Sequence, residues 1–253
     1  MPDLRSFCRP LEIEPTEIRL DREESHHLVT TNRARVGDTV VGFDGRGNEW
    51  VCECATADRH GALLRVRFRQ KIKPLPYRVT LAQALPKGKY MDSIVRMATE
   101  IGAAVITPLQ SERTIVRVEA GASDHKQEKW ELAAIEAAKQ CGNAWLPEIR
   151  PVQTVEQFVS TSPREHDLRL IASLQPGARP LREVLQRFRT EKGRSPTSAA
   201  WMIGPEGDFT TAEMALAINH GFEPITLGPL VLRCETAATF ALSILSYELQ
   251  NGA

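Results

Sequence analysis

The sequence of 253 residues predicts an α/β protein with two domains, a mostly β domain over residues 1–73 and an α/β domain over residues 74–253. Residues 73–76, KPLP, place the boundary, because their two prolines favour an extended connector. Before this connector the chain carries strand-like runs, and after it strand-like and helix-like runs alternate. Such alternation predicts a parallel sheet with helices on both faces.

The N-terminal domain is predicted to be a small β-barrel with one helix. Residues 39–56 contain two strand-like runs around a glycine-rich break at 44–47, which is a hairpin signal. Residues 22–32 form the predicted helix, with His26 and His27 on it.

Cations gather in one part of an otherwise neutral chain. Lysine and arginine total 32, as do aspartate and glutamate, which excludes a uniformly basic protein but not a basic face. No acidic residue occurs from Arg59 to Met91. In residues 62–71 three arginines alternate with apolar residues, so Arg65, Arg67 and Arg69 are expected on one sheet face. This pattern favours contact with RNA phosphates over the alternative of a solvated strand edge.

Strands and helices alternate from residue 78 onward. Helical spacing of apolar residues with Gly102 as a stop predicts a helix over 91–102, and the capping box Thr210-x-x-Glu213 begins another. The last helix is apolar on more than one face, which predicts burial against both the sheet and a second subunit. The predicted strands are 78–85, 104–109, 168–174, 198–204 and 224–228, and the predicted helices are 91–102, 124–141, 180–188, 210–219 and 235–249.

Three glycine-bearing loops follow three predicted strands, at residues 174–177, 203–209 and 227–233. Ligands of open parallel sheets bind beyond the carboxyl ends of the strands, and glycine there lets the backbone approach a ligand closely. One such loop would be explained by a turn alone, whereas three together indicate a ligand pocket. The sequence contains neither GxGxxG nor GxxxxGK[ST], so a pocket for NAD or ATP is not expected.

The segments GPEGDF (204–209) and LGPLVLRCETAA (227–238) together resemble the signature of the SPOUT superfamily of knotted methyltransferases. They are most similar to the RsmE family, which methylates ring nitrogen 3 of a uridine in the 16S RNA of the small ribosomal subunit. Residues 85–114 and 139–151 resemble the same family in order and spacing, and residues 26–47 resemble its PUA-like domain. The resemblance thus covers nearly the whole chain.

This resemblance implies a SPOUT-type α/β knot, with a deep trefoil knot in the second domain and a PUA-like β-barrel before it. It also implies S-adenosylmethionine as the methyl donor, no metal, and a homodimer. The partner would be small-subunit ribosomal RNA, either naked or within the assembled 30S subunit, with the decoding-region uridine as the target.

The resemblance also implies roles for individual residues. Arg233 would hold the target phosphate or base, and its alternative role is an ion pair. Glu235 would accept the uridine proton, directly or through water, and its alternative role is to stabilise the dipole of the last helix. The implied cofactor-binding residues are Leu174, Ile203, Gly204, Glu206, Gly207, Leu227, Gly228, Leu232 and Thr236, although Glu206 can equally stabilise its loop. The implied RNA-binding residues are Arg33, Arg65, Arg67, Arg69 and Lys87.

Four positions depart from the family pattern. Asp208 stands where a glycine is usual, and we expect the loop to tolerate it because aspartate adopts unusual backbone angles more readily than most residues. Leu230, Asn143 and Thr30 stand where arginines are common in the family. We expect the missing arginines to affect RNA contacts more than cofactor binding.

Two other readings of the chain stay open. One is a knotted methyltransferase that acts on another nucleotide, such as a transfer-RNA ribose 2′-oxygen, and the other is a non-catalytic RNA-binding protein of ribosome assembly. Binding of S-adenosylmethionine distinguishes both kinds of methyltransferase from the non-catalytic RNA-binding protein, which is not expected to bind it. Five cysteines without paired spacing, no apolar run of membrane length and no apolar stretch at the start indicate a cytoplasmic protein. A zinc site at Cys52 and Cys54 is disfavoured by their close spacing.

Overall fold

The computed structural model describes residues 4–9, 15–114, 123–162 and 165–250. The chain divides into two compact units. The N-terminal unit is Met1–Pro74 with Ile135–Leu146, and the C-terminal unit is Leu75–Ala134 with Pro147–Ala253. The first unit therefore includes a segment that lies beyond the proline connector in the sequence.

A five-stranded mixed sheet forms the N-terminal unit. Its order is β1-β3-β4-β5-β2, with β1 parallel to β3 and all other neighbours antiparallel. The predicted hairpin joins β3 to β4, and the Asp44 carboxylate closes it by accepting hydrogen bonds from the N–H groups of Arg46 and Asn48, at 2.8 and 3.1 Å. The strands are β1 (Leu4–Phe7), β2 (Glu17–Arg19), β3 (Thr39–Phe43), β4 (Asn48–Thr56) and β5 (Leu63–Lys71).

The predicted helix of this unit divides into two parts. The α-helix α1 spans Arg22–His26, and a π-helical turn continues over His27–Thr31. Asp21 caps α1, because its carboxylate accepts a hydrogen bond from the Glu24 N–H at 2.9 Å. Arg33, just after the π turn, has a positive φ of 58°.

A β-bulge changes the pattern of strand β5. Val66 and Phe68 lie opposite consecutive residues of β4, so Arg67 is an extra residue in the ladder. The bulge turns Phe68 outward, where 55% of its surface is exposed, and places Arg69 opposite a buried residue of β4. The prediction that the three arginines share one face is therefore wrong, because only Arg65 and Arg67 lie on the outer face with Phe68.

Buried charge explains why Ile135–Leu146 belongs to the N-terminal unit. Lys139, only 7% exposed, donates to the Glu24 carboxylate at 2.8 Å, and Glu24 also accepts the Phe7 N–H at 3.1 Å. Burial raises the pKa of Glu24, and Lys139 opposes that shift. Trp145 adds a hydrogen bond from its indole N–H to the Ile72 carbonyl at 3.0 Å. Removing Lys139 would leave the buried Glu24 carboxylate without its ion-pair partner, whereas Lys139 also pairs with Glu136 at 2.7 Å.

The C-terminal unit is built on a sheet in which every described strand pairing is parallel. The strand order is β12-β10-β11-β6-β7-β8, and β9 also pairs with β7. The strands are β6 (Arg78–Ala84), β7 (Val105–Gln110), β8 (Glu148–Ile149), β9 (Gln153–Thr154), β10 (Leu168–Ala172), β11 (Ser198–Ile203) and β12 (Glu223–Ile225). The helices are α2 (Tyr90–Ile101), α3 (Ser123–Cys141), α4 (Val155–Thr161), α5 (Leu181–Lys192), α6 (Thr211–Asn219) and α7 (Cys234–Gln250).

Helices cover both faces of this sheet, as predicted. Alternate residues of β6 and β11, among them Ala82 and Met202, pack against Phe158 of α4 and Ala217 of α6. Helix α7 packs on β6 and β11 and also on α2. The capping box predicted at the start of α6 is present, with Thr210 and Glu213 bonded in both directions. The elements that the sequence analysis missed are short: β1, β2, β8, β9 and α4.

Helix α7 buries most of its apolar residues within the chain, and its predicted contact with a second subunit stays a prediction. Ala238, Ala241 and Leu245 are buried within the chain, and Leu245 is 0% exposed. The exposed apolar residues of α7 are Phe240 and Tyr247, which lie seven positions apart and therefore on one stripe. In the described parts of the chain, no helix is both long and apolar enough to cross a membrane.

Candidate active site

A cavity of about 480 Å³ lies in the C-terminal unit, where the loops after β10, β11 and β12 meet the start of α7. Those three loops are the glycine-bearing loops of the sequence. We call residues 204–209 the glycine loop and residues 227–233 the apolar loop. Because carboxyl ends of parallel strands share one edge of a sheet, three loops far apart in the chain line one pocket.

Eight of the eleven residues that the sequence analysis named as catalytic or cofactor-binding line this cavity: Leu174, Ile203, Gly204, Glu206, Leu227, Leu232, Arg233 and Glu235. Gly207, Gly228 and Thr236 are not among the lining residues. The lining residues that sequence reasoning did not name as site residues are Tyr90, Ala172, Ser173, Pro205, Asp208, Leu230, Val231, Cys234 and Ala237. Most of them adjoin a named residue, whereas Tyr90 is the first residue of α2, the helix that follows the loop after β6.

The glycine loop is held in a tight turn. The Asp208 N–H donates to the Pro205 carbonyl at 2.9 Å, and the Asp208 carboxylate accepts the Phe209 N–H at 2.8 Å. Asp208 has a φ of 58°, in the left-handed region, which explains why a glycine is usual there and why aspartate is tolerated, as predicted. A Cβ atom on Gly204 would lie 2.9 Å from the Asp208 carboxylate, so the turn leaves no room for a side chain at Gly204.

Neighbouring strand-end loops hold the glycine loop from outside. The Glu206 carboxylate accepts the Lys87 N–H at 2.9 Å, which links the glycine loop to the loop after β6. Arg113, after β7, donates to the Gly207 carbonyl at 2.7 Å. Glu206 thus lines the cavity and also stabilises its loop. The sequence analysis named no role for Arg113, although it lies within the 85–114 segment of the family resemblance.

The apolar loop is held by fewer hydrogen bonds than the glycine loop. The Thr226 hydroxyl accepts the Gly228 N–H at 3.2 Å, and Gly228 has a φ of 109°. Leu230 and Val231, at the tip, are 72% and 80% exposed although both are apolar. The loop therefore presents apolar side chains at the mouth of the cavity.

Carboxylates make the cavity favourable for a cation. Burial, which contributes most, and the negative charges of Glu206, Glu235 and Asp208 together raise the pKa of the Cys234 thiol to about 11. All four residues line the cavity. The same field that disfavours a thiolate stabilises a positive charge.

The predicted RNA-binding residues are exposed, and Arg65 and Arg67 take part in ion pairs. In the N-terminal unit, Arg65 lies 3.8 Å from Glu17, Arg67 pairs with Glu53, and Arg69 donates to Asn48 at 2.8 Å. The Arg65 and Arg67 side chains are each 54% exposed, and such surface pairs contribute little free energy, so phosphates can compete for them. Arg33 and Lys87 are also exposed. Within the described ranges, no group of three or more histidine, cysteine or acidic side chains is arranged to hold a metal.

Comparison with known proteins agrees with this geometry. The RNA methyltransferase domain family matches residues 73–246, and the RNA methyltransferase PUA domain family matches residues 20–67. With most of its length matched, the chain belongs to the RNA methyltransferase family.

Individual similar proteins indicate which group within the RNA methyltransferase family the chain resembles. The chain is 33% identical, over 98% of its length and 78% of the relative's, to ribosomal RNA small subunit methyltransferase E of Synechocystis sp.. It resembles the crystal structure of the same-named protein from Neisseria gonorrhoeae bound to S-adenosylmethionine, with a TM-score of 0.85, 25% identity and coverage of 97% and 98%. A Legionella pneumophila protein in complex with that cofactor gives a TM-score of 0.88 at 29% identity, with 98% of each chain covered. The resemblance to the RsmE family is thereby confirmed.

Proposed function

We propose that this protein uses S-adenosylmethionine to methylate ring nitrogen 3 of a uridine in small-subunit ribosomal RNA. The observation that carries the proposal is the cavity, which the glycine loop and the apolar loop build at the strand ends of an RNA methyltransferase domain. Relatives named for small-subunit ribosomal RNA, and a similar structure bound to S-adenosylmethionine, support the substrate and the cofactor.

The residues of the cavity fit this cofactor. Apolar side chains such as Leu174 and Leu232 suit the adenine ring, and the exposed backbone of Gly204 suits close polar contacts. The negative charges of Glu206, Asp208 and Glu235, which also contribute to the raised pKa of Cys234, suit a cation. When bound, S-adenosylmethionine supplies a methyl group on a positively charged sulfur.

The chain's own residues have three tasks in this proposal. Arg233 holds the target nucleotide by its base or phosphate, and Glu235 accepts the proton from ring nitrogen 3, because both line the cavity. The buried walls, which include Ile203 and Ala237, exclude water from the reacting groups. Arg33, Arg65, Arg67, Arg69 and Lys87 bind phosphates of the RNA. The deep trefoil knot of the C-terminal unit also stays a prediction.

The test is methyl transfer to ribosomal RNA from cells that lack this enzyme, as naked RNA and as assembled small subunits. We expect one methyl group per RNA, located on a uracil base at ring nitrogen 3 by nuclease digestion and mass spectrometry. A methyl group on a ribose 2′-oxygen or in transfer RNA would establish the first alternative. Binding of RNA without binding of S-adenosylmethionine would establish the non-catalytic alternative.

We also propose a homodimer, with the stripe of Phe240 and Tyr247 on α7 in its interface. Leu245 is 0% exposed, so Leu245→Arg would unfold the chain and would not test the dimer. Phe240→Arg with Tyr247→Arg instead changes residues that are 43% and 68% exposed. We expect the double variant to be a monomer in sedimentation. Its melting temperature should be unchanged and its methyltransferase activity low. An active wild-type monomer at the assay concentration would contradict the dimer.

A further inference from the structure

We infer that Tyr90 is a substrate-positioning residue on which the target nucleobase stacks at the mouth of the cavity. The inference rests on the proposed function, because it assigns the RNA base and the cofactor to different parts of one pocket. Tyr90 lines the cavity, and 46% of its surface is exposed.

A gradient of burial divides the cavity into an inner and an outer part. Ile203, Cys234 and Ala237 are at most 9% exposed, and they lie at a strand end and in the first turn of α7. Tyr90 and Leu230 are 46% and 72% exposed. The inner part adjoins the glycine loop and the carboxylates, which favours the cofactor there. The outer part faces solvent, from which an RNA strand must approach.

The position of Tyr90 is fixed by the glycine loop. Tyr90 is the first residue of α2, and the loop before it is held by the Lys87 N–H bond to Glu206 at 2.9 Å. This bond positions the backbone at the start of α2 before RNA arrives, which reduces the entropy cost of stacking on Tyr90.

Among the described residues, no other aromatic ring and no cation packs on the face of the Tyr90 ring. In the parts that the structure describes, the aromatic pairs are Phe7 with Phe43 and Phe158 with Phe222, and the cation–π contacts also leave Tyr90 out. Lys87 and Lys89 are exposed beside it. An open aromatic ring next to cations is the arrangement that binds a base and its phosphates in single-stranded RNA.

The chemistry of the reaction gives this arrangement a purpose. An enzyme that modifies a base must take it out of the helical stack, and an aromatic side chain then replaces the lost stacking partner. Stacking does not depend on a charge at the mouth of the cavity, where this chain has Leu230 in place of the usual arginine of the family. Tyr90 therefore holds the base, and Arg233 and Glu235 act on its polar edge.

The test compares Tyr90→Leu, which removes the ring, with Tyr90→Phe, which keeps it. We expect Tyr90→Leu to raise the KM for RNA by roughly 5- to 150-fold, the range of one base–aromatic stack, and Tyr90→Phe to stay within about threefold of wild type. The affinity for S-adenosylmethionine, measured by calorimetry, should stay within about twofold for both. Ile218→Ala changes an apolar residue of α6 that is 45% exposed and lies outside the cavity lining, and it is the matched control.

A second readout does not depend on turnover. An RNA oligonucleotide with 5-iodouridine at the target position should form a photo-crosslink to the peptide that contains Tyr90. An unchanged KM in Tyr90→Leu, or a loss of cofactor affinity equal to the loss for RNA, would overturn the inference. A wild-type protein that neither binds S-adenosylmethionine nor methylates RNA would instead refute the proposed function, so the two failures differ.

Discussion

The glycine loop and the apolar loop line the same cavity but are built in opposite ways. The glycine loop is tied down by a turn of its own and by Lys87 and Arg113 from two neighbouring loops. The apolar loop has the Thr226–Gly228 hydrogen bond at its start, and its tip residues Leu230 and Val231 are largely exposed. The glycine loop is thus held in place by hydrogen bonds within the chain, whereas the tip of the apolar loop is exposed to solvent and to a binding partner.

This difference indicates that the two loops suit different ligands. A preset wall reduces the entropy that must be lost when a ligand binds, so the glycine loop suits a cofactor that enters and leaves in every cycle. An exposed apolar tip suits a larger partner, either RNA or a second subunit, that covers it. Substitutions in the two loops should therefore have different effects.

Gly204→Val should have the largest effect. Its side chain would meet the Asp208 carboxylate at 2.9 Å and the Asp208 Cα at 3.3 Å, so the turn must open. We expect the affinity for S-adenosylmethionine to fall more than 100-fold, a loss of about 3 kcal/mol or more. Calorimetry measures the affinity, and thermal melting should show a protein that still folds.

Gly207→Ala is the control for that prediction. A Cβ there would lie 3.5 Å from Arg113, an ordinary contact distance, and Gly207 has no positive φ. We expect its affinity to stay within about threefold of wild type. Equal losses in Gly204→Val and Gly207→Ala would mean that the tight turn at Gly204 is not what shapes the pocket.

Gly228→Val should weaken binding less, because it acts by strain alone. Nothing lies within 4 Å of a Cβ on Gly228, but its φ of 109° is costly for a β-branched residue. Strain of about 1–3 kcal/mol corresponds to a loss of roughly 5- to 150-fold if all of it opposes binding. Gly193→Val, at a φ of 66° after α5, is the matched control for strain outside the cavity. If both variants bind equally well, the apolar loop does not contribute to the cofactor pocket.

Arg113→Ala tests the outer tie of the glycine loop and should have a moderate effect. It removes a hydrogen bond of 2.7 Å to the Gly207 carbonyl, and such a bond contributes about 0.5–1.5 kcal/mol. We expect a loss of cofactor affinity of roughly 2- to 12-fold, measured by calorimetry. Arg96→Ala, an exposed arginine on α2, should have no effect. Equal affinities in the two variants would show that the glycine loop needs no support from this side.

The sequence predicted most of the cavity because its signals are local. A glycine after a strand, or a capping box such as Thr210 with Glu213, is visible within a few residues. Tyr90 and Arg113 were missed as site residues because their roles depend on which strand ends are neighbours. The hydrophobic periodicity of a sequence predicts strands but not their order in the sheet. The Ile135–Leu146 segment was placed in the second domain for the same reason, since its attachment depends on a buried contact between Lys139 and the distant Glu24.

The arginine alternation of β5 failed for a different physical reason. Period two predicts a shared face only while the strand stays regular, and one extra residue at Arg67 exchanges the faces that follow it. The bulge exposes Phe68 and moves Arg69 to the other side. No residue in 62–71 marks this position, because bulges depend on the partner strand as much as on their own sequence.

The smallest expected effect concerns Cys234, which ends the apolar loop and lines the inner cavity. Its pKa of about 11 means that roughly one thiol in a thousand is ionised at pH 8, since burial and three carboxylates favour the protonated form. Alkylation by iodoacetamide should therefore be slow at pH 8 and rise about tenfold per pH unit up to pH 10, as mass spectrometry can follow. Exposed Cys141 is the internal reference. Rapid modification of Cys234 at pH 8 would contradict the raised pKa, to which burial contributes most and the three carboxylates add.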